Sequence, residues 1–214
     1  HQYDPAWPPG SGIAQAFYRL ERASEYLLVD LAVLKRSAPD KFLEPELHGT
    51  AIFAFNKGNV IRLPPLDAWA FVKELLERRD RLEMRMALFG PFVSKELHRG
   101  NALGALEAYQ RIVLDSLIQV LRMRYHPAHY SFNVMYLPFE LPPDVVERIK
   151  ELSYVGSMDE LPAKSREAME WFQEVAGTVS EAEVRERLRA GTPGVVVRRA
   201  ATCERFTLDS QDSR

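Results

Sequence analysis

The chain has 214 residues, 46% of them hydrophobic, enough to bury a core as one large domain or two small ones. Its 28 Lys and Arg stand against 30 Asp and Glu, a formal net charge of -2. That balance excludes the global basic field that holds a long nucleic acid, and turns the expectation toward a small substrate or a protein partner. A single cysteine, Cys203, excludes an intramolecular disulfide and any multi-cysteine metal site, so a reducing cytoplasm is the natural compartment. No apolar stretch approaches the ~20 residues that span a bilayer, which argues against a membrane partner. The N-terminus lacks the basic-then-apolar pattern of a secretory signal, and starting at His1 it reads as a fragment, a processed form or part of something longer.

Residues 1–64 read as β-rich. Prolines and glycines between Tyr3 and Gly12 are too dense for a regular element. Ile13 to Leu20 predicts a strand, and Glu21 to Glu25 a turn into the run Tyr26-Leu27-Leu28-Val29-Asp30-Leu31-Ala32-Val33-Leu34. That run is apolar on both faces, the composition of a buried strand, with one carboxylate inside it. An ionised carboxylate there is expensive unless a cation or a donor meets it. Asp30 therefore reads either as a strand-end residue that caps a turn or pairs with an Arg, or as a metal-binding carboxylate at the lip of an active site. Gly49 to Phe55 and Val60 to Leu63 predict a hairpin around Asn56-Lys57-Gly58-Asn59.

Pro64-Pro65 marks a boundary, after which the apolar spacing becomes helical. One helix opens near Asp67 and runs to about Phe89, where Gly90-Pro91 stops it. A short helix spans Phe92 to Arg99, and Gly100-Asn101 supplies a break and a cap. Leu103, Leu106, Tyr109, Val113, Leu117, Val120 and Leu121 recur at three- and four-residue steps, a helix that ends before Pro127. Ala128 to Leu141 is aromatic and irregular, suited to packing across helices. Pro142-Pro143-Asp144 starts a helix to about Leu152. Ser157-x-x-Glu160 and Ser180-x-x-Glu183 are capping boxes for helices reaching roughly Val175 and Ala190. Val195 to Val197 predicts a closing strand, and the tail from Asp209 is polar. The fold class is α+β: a partial mixed sheet in 1–64, a helical bundle in 65–176, and a last helix, strand and tail in 177–214.

Three stretches carry a likeness to a known group: Leu28 to Val33; His48-Gly49-Thr50 through Phe55-Asn56-Lys57-Gly58; and Arg99-Gly100-Asn101-Ala102-Leu103 through Leu121-Arg122-Met123-Arg124-Tyr125-His126-Pro127, with Tyr136-Leu137 and Leu141-Pro142-Pro143 beyond. In this order they resemble bacterial nucleotidyltransferases of the polymerase-β superfamily, the group that includes aminoglycoside-type adenylyltransferases. The likeness covers roughly residues 13 to 160. The family often has Asp where this chain has Asn56. Its Gly-Ser turn and Asp-x-Asp pair are missing; Gly10-Ser11-Gly12 has neither the following helix nor the carboxylates. The resemblance places the family's first two strands upstream of His1.

What the resemblance implies is a nucleoside monophosphate transferred from an NTP, with Mg²⁺, to a hydroxyl on a small molecule or protein. Asp30 would be the third metal-binding carboxylate, or the general base, beside a pair on a neighbouring strand. Alone it makes a weak magnesium site, so little or no activity is expected of these residues by themselves. Lys57, in the hairpin turn, is a candidate for a phosphate contact. Lys95 and Arg99, four apart on one helix face, are candidates for the triphosphate or an anionic substrate. Glu107 and Asp115 are candidates for a cationic acceptor. Each also reads as an ordinary solvated side chain.

Two alternatives remain open. One is a non-catalytic binding or antitoxin-like relative of the fold. The other is a helical ribonuclease, because Arg124-x4-His129 resembles the motif of helical nucleases that accompany minimal nucleotidyltransferases, in which Arg holds the phosphate and His moves the proton. His48 and His98 lack metal-ligand spacing. Cys203 has no neighbour to activate it. The aromatics from Tyr130 to Phe139 read as packing, or as a platform for a base. A homo-oligomer is compatible with all of these readings.

Overall fold

The computed structural model describes residues 2–3, 12–38, 41, 43–49, 51–58 and 61–190. The predicted strand at Val195 to Val197, the polar tail and Cys203 lie outside them. The described residues divide between two compact units. One runs to Glu44 and resumes over 51–64; the other takes Pro45–Gly49 and continues from Pro65. The combination is α+β, dominated by helix, and no described helix is long and apolar enough to cross a membrane.

The first unit is an antiparallel sheet in the order β1 (Gln2–Tyr3), β2 (Ile13–Arg19), β3 (Leu28–Leu34). Phe17 lies opposite Asp30 and Ile13 opposite Leu34. A turn follows β3. The Lys41 ammonium closes it by donating to the carbonyls of Lys35 and Arg36, both at 3.2 Å, and to that of Ala38. The burial expected for β3 is overturned: Leu28, Leu31 and Val33 are each at least half exposed, on both faces. A strand is buried only where a second layer covers it, and composition cannot supply that layer. The hairpin expected around residue 57 is also corrected. Among the described residues the turn exists, with Gly58 at φ +79°, but its arms are not paired strands and Phe53 makes only an isolated bridge. A side chain closes the turn: the Ile61 amide donates to Asn56 Oδ1 at 3.4 Å. Ile52 and Phe55 are exposed, so no burial fixes a register.

The second unit is helical. After α1 (Pro45–His48) come α2 (Ala68–Phe89) and α3 (Phe92–His98). Asp67 caps α2 by accepting the amides of Trp69 and Ala70, so the first turn has partners for its orphan donors. Asn101 does the same for α4 (Ala102–Ala108) through Gly104. From α4 the chain passes through a π-helical stretch, Tyr109–Leu114, into α5 (Asp115–Tyr125). Beyond α5 lie a 3-10 turn over Pro127–His129, α6 (Leu137–Glu140), α7 (Pro143–Ser153), a second 3-10 turn over Met158–Glu160, α8 (Leu161–Ala176) and α9 (Glu181–Ala190).

Helix α5 is the axis of this unit. Every residue from Ser116 to Met123 is buried, where an amphipathic helix would hide one stripe. Val72, Leu75, Leu82 and Met86 of α2, Val145, Val146 and Ile149 of α7, and Trp171 and Phe172 of α8 join its apolar residues in one core. The capping box expected at Ser157 does not form. Ser157 makes no cap bond, and the Glu160 carboxylate accepts from the Gly156 amide at 3.3 Å instead of from that of Ser157. At Ser180 the box is present, with the Glu183 amide donating to the Ser180 hydroxyl at 3.3 Å.

Candidate functional site

Burial of the Ser116 to Met123 stretch of α5 carries three polar side chains inside with it: Ser116, Gln119 and Arg122. Ser116 returns its hydroxyl to the Ile112 carbonyl at 2.6 Å. Gln119 accepts two bonds from Arg78, each 3.0 Å, and donates to Asp115 Oδ2 at 2.8 Å. Arg122 is the costly one, a guanidinium with no solvent exposure. The segment after α5 is shaped to receive it. Backbone at Asn133 (φ 52°) and Tyr136 (φ 61°) is left-handed, and between those turns the carbonyls of Asn133 and Met135 accept from Arg122 Nε and Nη2. Glu140, from α6, accepts from Nη1 on its Oε2 at 2.5 Å.

The other oxygen of Glu140 meets His129 Nδ1 at 2.6 Å, and His129 Nε2 lies 3.1 Å from the Leu47 carbonyl in α1. The His129 ring is stacked between His126 at 4.5 Å and Phe132 at 4.1 Å. Burial pushes the Glu140 carboxyl up, but its hydrogen bonds from Arg122 and His129 outweigh that, and it titrates below the ordinary carboxylate range. Burial lowers the His126 imidazole, and the nearby Glu140 charge only partly opposes it. His126 Nδ1 is buried without a hydrogen-bond partner, and so is Glu46 Oε2. Both residues border one small cavity, with Tyr125 and Arg187. His126, His129 and Glu140 are the group whose atoms gather closely enough to hold a metal ion, among the described residues.

A second, more open cleft of about 510 Å³ is bordered by Arg85, Arg111, Asp115 and Asn133. Its size falls in the ~300–1,000 Å³ range of small-molecule sites. Asp115 is its carboxylate, already engaged by Arg85 at 3.5 Å, Gln119 and Asn133. The π-helical stretch borders this cleft, and π-bulges recur where helices carry function.

The residues expected from sequence fall in different places. Asp30 is exposed, and its Oδ1 accepts from Gln15 Nε2 at 2.8 Å across the β2–β3 pair. The desolvation cost expected for it therefore does not arise, since water reaches the carboxylate. No group of three metal-capable side chains includes Asp30 among the described residues, so these residues do not complete a magnesium site. Lys57 is exposed in its turn, its ammonium 5.7 Å from the Phe55 ring centroid. Lys95 and Arg99 lie in the other unit and are exposed. Lys95 covers the Phe92 ring at 4.5 Å and Arg99 pairs with Glu96 at 3.2 Å, so neither borders the two clefts above. Glu107 is exposed and pairs with Arg111 at 3.3 Å.

The Arg124–His129 motif divides between partners. Arg124 donates to the Thr178 hydroxyl and lies over the Tyr125 ring, while His129 turns to Glu140. Sequence reasoning weighed His126 and His129 but passed over Glu140. The available signal was Arg122, a charge set in the apolar run Leu117 to Met123, which demands a carboxylate somewhere in the fold. No family model, curated protein or solved structure matches the chain.

Proposed function

We propose that this is a nucleotidyltransferase-like protein, in which Asp30 is one of the carboxylates that handle the nucleotide and its cation. The observation that carries this reading is β3. It ends the described sheet, and its run of Leu and Val is of the kind found in strands with both faces covered. Its one carboxylate is open to solvent. Such a strand suits a larger sheet, with Asp30 at the rim where a cation can reach it. The resemblance calls for two further carboxylates beside it, which the described residues do not supply. The cleft beside the π-helical stretch, with Arg85, Arg111 and Asp115 on its walls, is the proposed seat of a polar acceptor. Lys57 remains a proposed phosphate contact; Lys95 and Arg99 remain proposed contacts for an anionic substrate.

The test is thermal stabilisation of the full natural chain by ATP, with and without Mg²⁺. The expected result is a rise in Tm that needs both, and that Asp30→Asn removes while leaving the ligand-free Tm unchanged. A full chain indifferent to Mg²⁺ and ATP, or an Asp30→Asn variant that responds like the parent, overturns the reading.

A further inference from the structure

The geometry points to a transition-metal site of the zinc class in the helical unit, held by His126, His129 and Glu140 and separate from the nucleotide chemistry proposed above. Their candidate ligand atoms all lie within 4.8 Å of one another. Two imidazoles and one carboxylate are a donor set for Zn²⁺, Co²⁺ or Ni²⁺; Mg²⁺ prefers oxygen alone.

The surroundings already orient these groups. His129 has a carbonyl, that of Leu47, 3.1 Å from Nε2. A proton on Nε2 satisfies that carbonyl, the usual outer-shell arrangement of a metal-binding histidine, and loss of the proton that Nδ1 gives to Glu140 frees its lone pair for an ion. Arg122 holds Oε2 of Glu140, which leaves Oε1 directed at His129. His126 is stacked on His129 and keeps a buried ring nitrogen with no partner. Buried polar atoms normally have partners, so an orphan ring nitrogen on a member of this group is a second, independent sign of a missing ligand.

Entry of the ion requires each ligand to shift. His129 Nδ1 and Glu140 Oε1 are 2.6 Å apart, and two ligands on one tetrahedral Zn²⁺ are about 3.3 Å apart, so these two separate by under ~1 Å, while a ligand atom as far as 4.8 Å away closes by up to ~1.5 Å. Any proton shared between them leaves to solvent as the ion binds, which offsets part of the positive charge added near Arg122. Three protein ligands leave a fourth position. The adjoining cavity of about 70 Å³ accepts a few waters and is far too small for a nucleotide. Glu46 borders that cavity with its own orphan oxygen, and would accept a hydrogen bond from a water on the ion.

The test is titration of the chelator-stripped chain with Co²⁺, read by visible absorption, with Zn²⁺ competition and thermal shift alongside. One Co²⁺ per chain is expected, with the intense band of a tetrahedral site, displaced by Zn²⁺, and a Tm rise with either ion. His126→Ala is the decisive variant, because its ring nitrogen holds no structural hydrogen bond at Nδ1 and Arg122–Glu140 stays intact. It should keep the metal-free Tm within a few degrees and bind Co²⁺ at least tenfold more weakly. His129→Ala should also lose the band. Absence of a band and of a Tm shift at 100 µM ion overturns the site. So does binding that both variants retain, which would place the ion elsewhere. No nucleotide enters these measurements, so their failure leaves the transferase reading standing, and its failure leaves this site standing.

Discussion

Glu140→Gln probes the centre of the helical unit. The substitution keeps the size of the side chain and one oxygen acceptor, and removes the charge facing Arg122. That guanidinium has no solvent exposure, and Glu140 is its only carboxylate contact among the described residues. Stranding one half of a buried pair costs about 3–5 kcal/mol. The Glu140 side chain is 12% exposed, so a little water reaches the gap and the lower end, about 3 kcal/mol, is expected. This is a large share of the roughly 5–15 kcal/mol that stabilises a domain, and at a few degrees per kcal/mol it lowers Tm by ~10 °C. Urea and thermal unfolding followed by circular dichroism at 222 nm give both numbers. The control is Glu147→Gln, which breaks a pair of similar length, 2.6 Å to Lys150, with both side chains more than half exposed. Such pairs contribute about 0–1 kcal/mol, so the control should barely move. A Glu140→Gln loss no larger than that of the control would refute the claim that burial makes the Arg122 pair matter.

Other expectations follow from neighbouring contacts. Tyr109 is fully buried, donates to the Leu152 carbonyl at 2.7 Å, and has its phenol pushed well above the ordinary range by burial first and the Glu167 charge second. The unfolded chain thus loses this proton before the folded one does. Its stabilising effect is complete below about pH 10 and declines above it. Tyr109→Phe should cost about 1–2 kcal/mol at neutral pH and make the alkaline decline in Tm shallower; an unchanged alkaline slope speaks against it. At Gly90 an added Cβ would lie 2.6 Å from the Met86 carbonyl oxygen and 2.9 Å from Met169 Cε. Gly90→Ala should therefore destabilise by about 1–3 kcal/mol in urea, although its backbone angles suit alanine. Asn101→Ala removes the cap on α4 and should cost about 1 kcal/mol in the same assay.

The helices were legible because their signals are local. Asp67, Asn101, Pro143 and Ser180 mark starts by satisfying or lacking amide donors, and each stands where its helix begins. The π-helical stretch was not legible, since Tyr109, Val113 and Leu117 follow a four-residue step that continuous α-helix would also give. The sheet failed in the opposite way. Tyr26 to Leu34 announces a buried strand, but exposure depends on what lies over it, and that is not written in nine residues. The ring-and-carboxylate cluster was half legible. His126 and His129 are close in sequence, whereas Glu140 is eleven residues beyond His129 and reaches it only through the left-handed turns at Asn133 and Tyr136. Asn133 is of a type that tolerates left-handed backbone, but Tyr136 is not, and nothing in the spacing announces the second turn.

The most direct measurement on the proposed function substitutes Fe²⁺ for Mg²⁺ in the full natural chain with bound ATP, adds ascorbate and hydrogen peroxide, and maps the peptide cuts made by the hydroxyl radicals that form as the bound Fe²⁺ reduces the peroxide. Cuts beside Asp30 in β3 are expected, dependent on ATP and lost in Asp30→Asn. ATP-dependent cuts that spare β3, or cuts at β3 that persist in Asp30→Asn, would contradict a nucleotide-bound cation at that carboxylate.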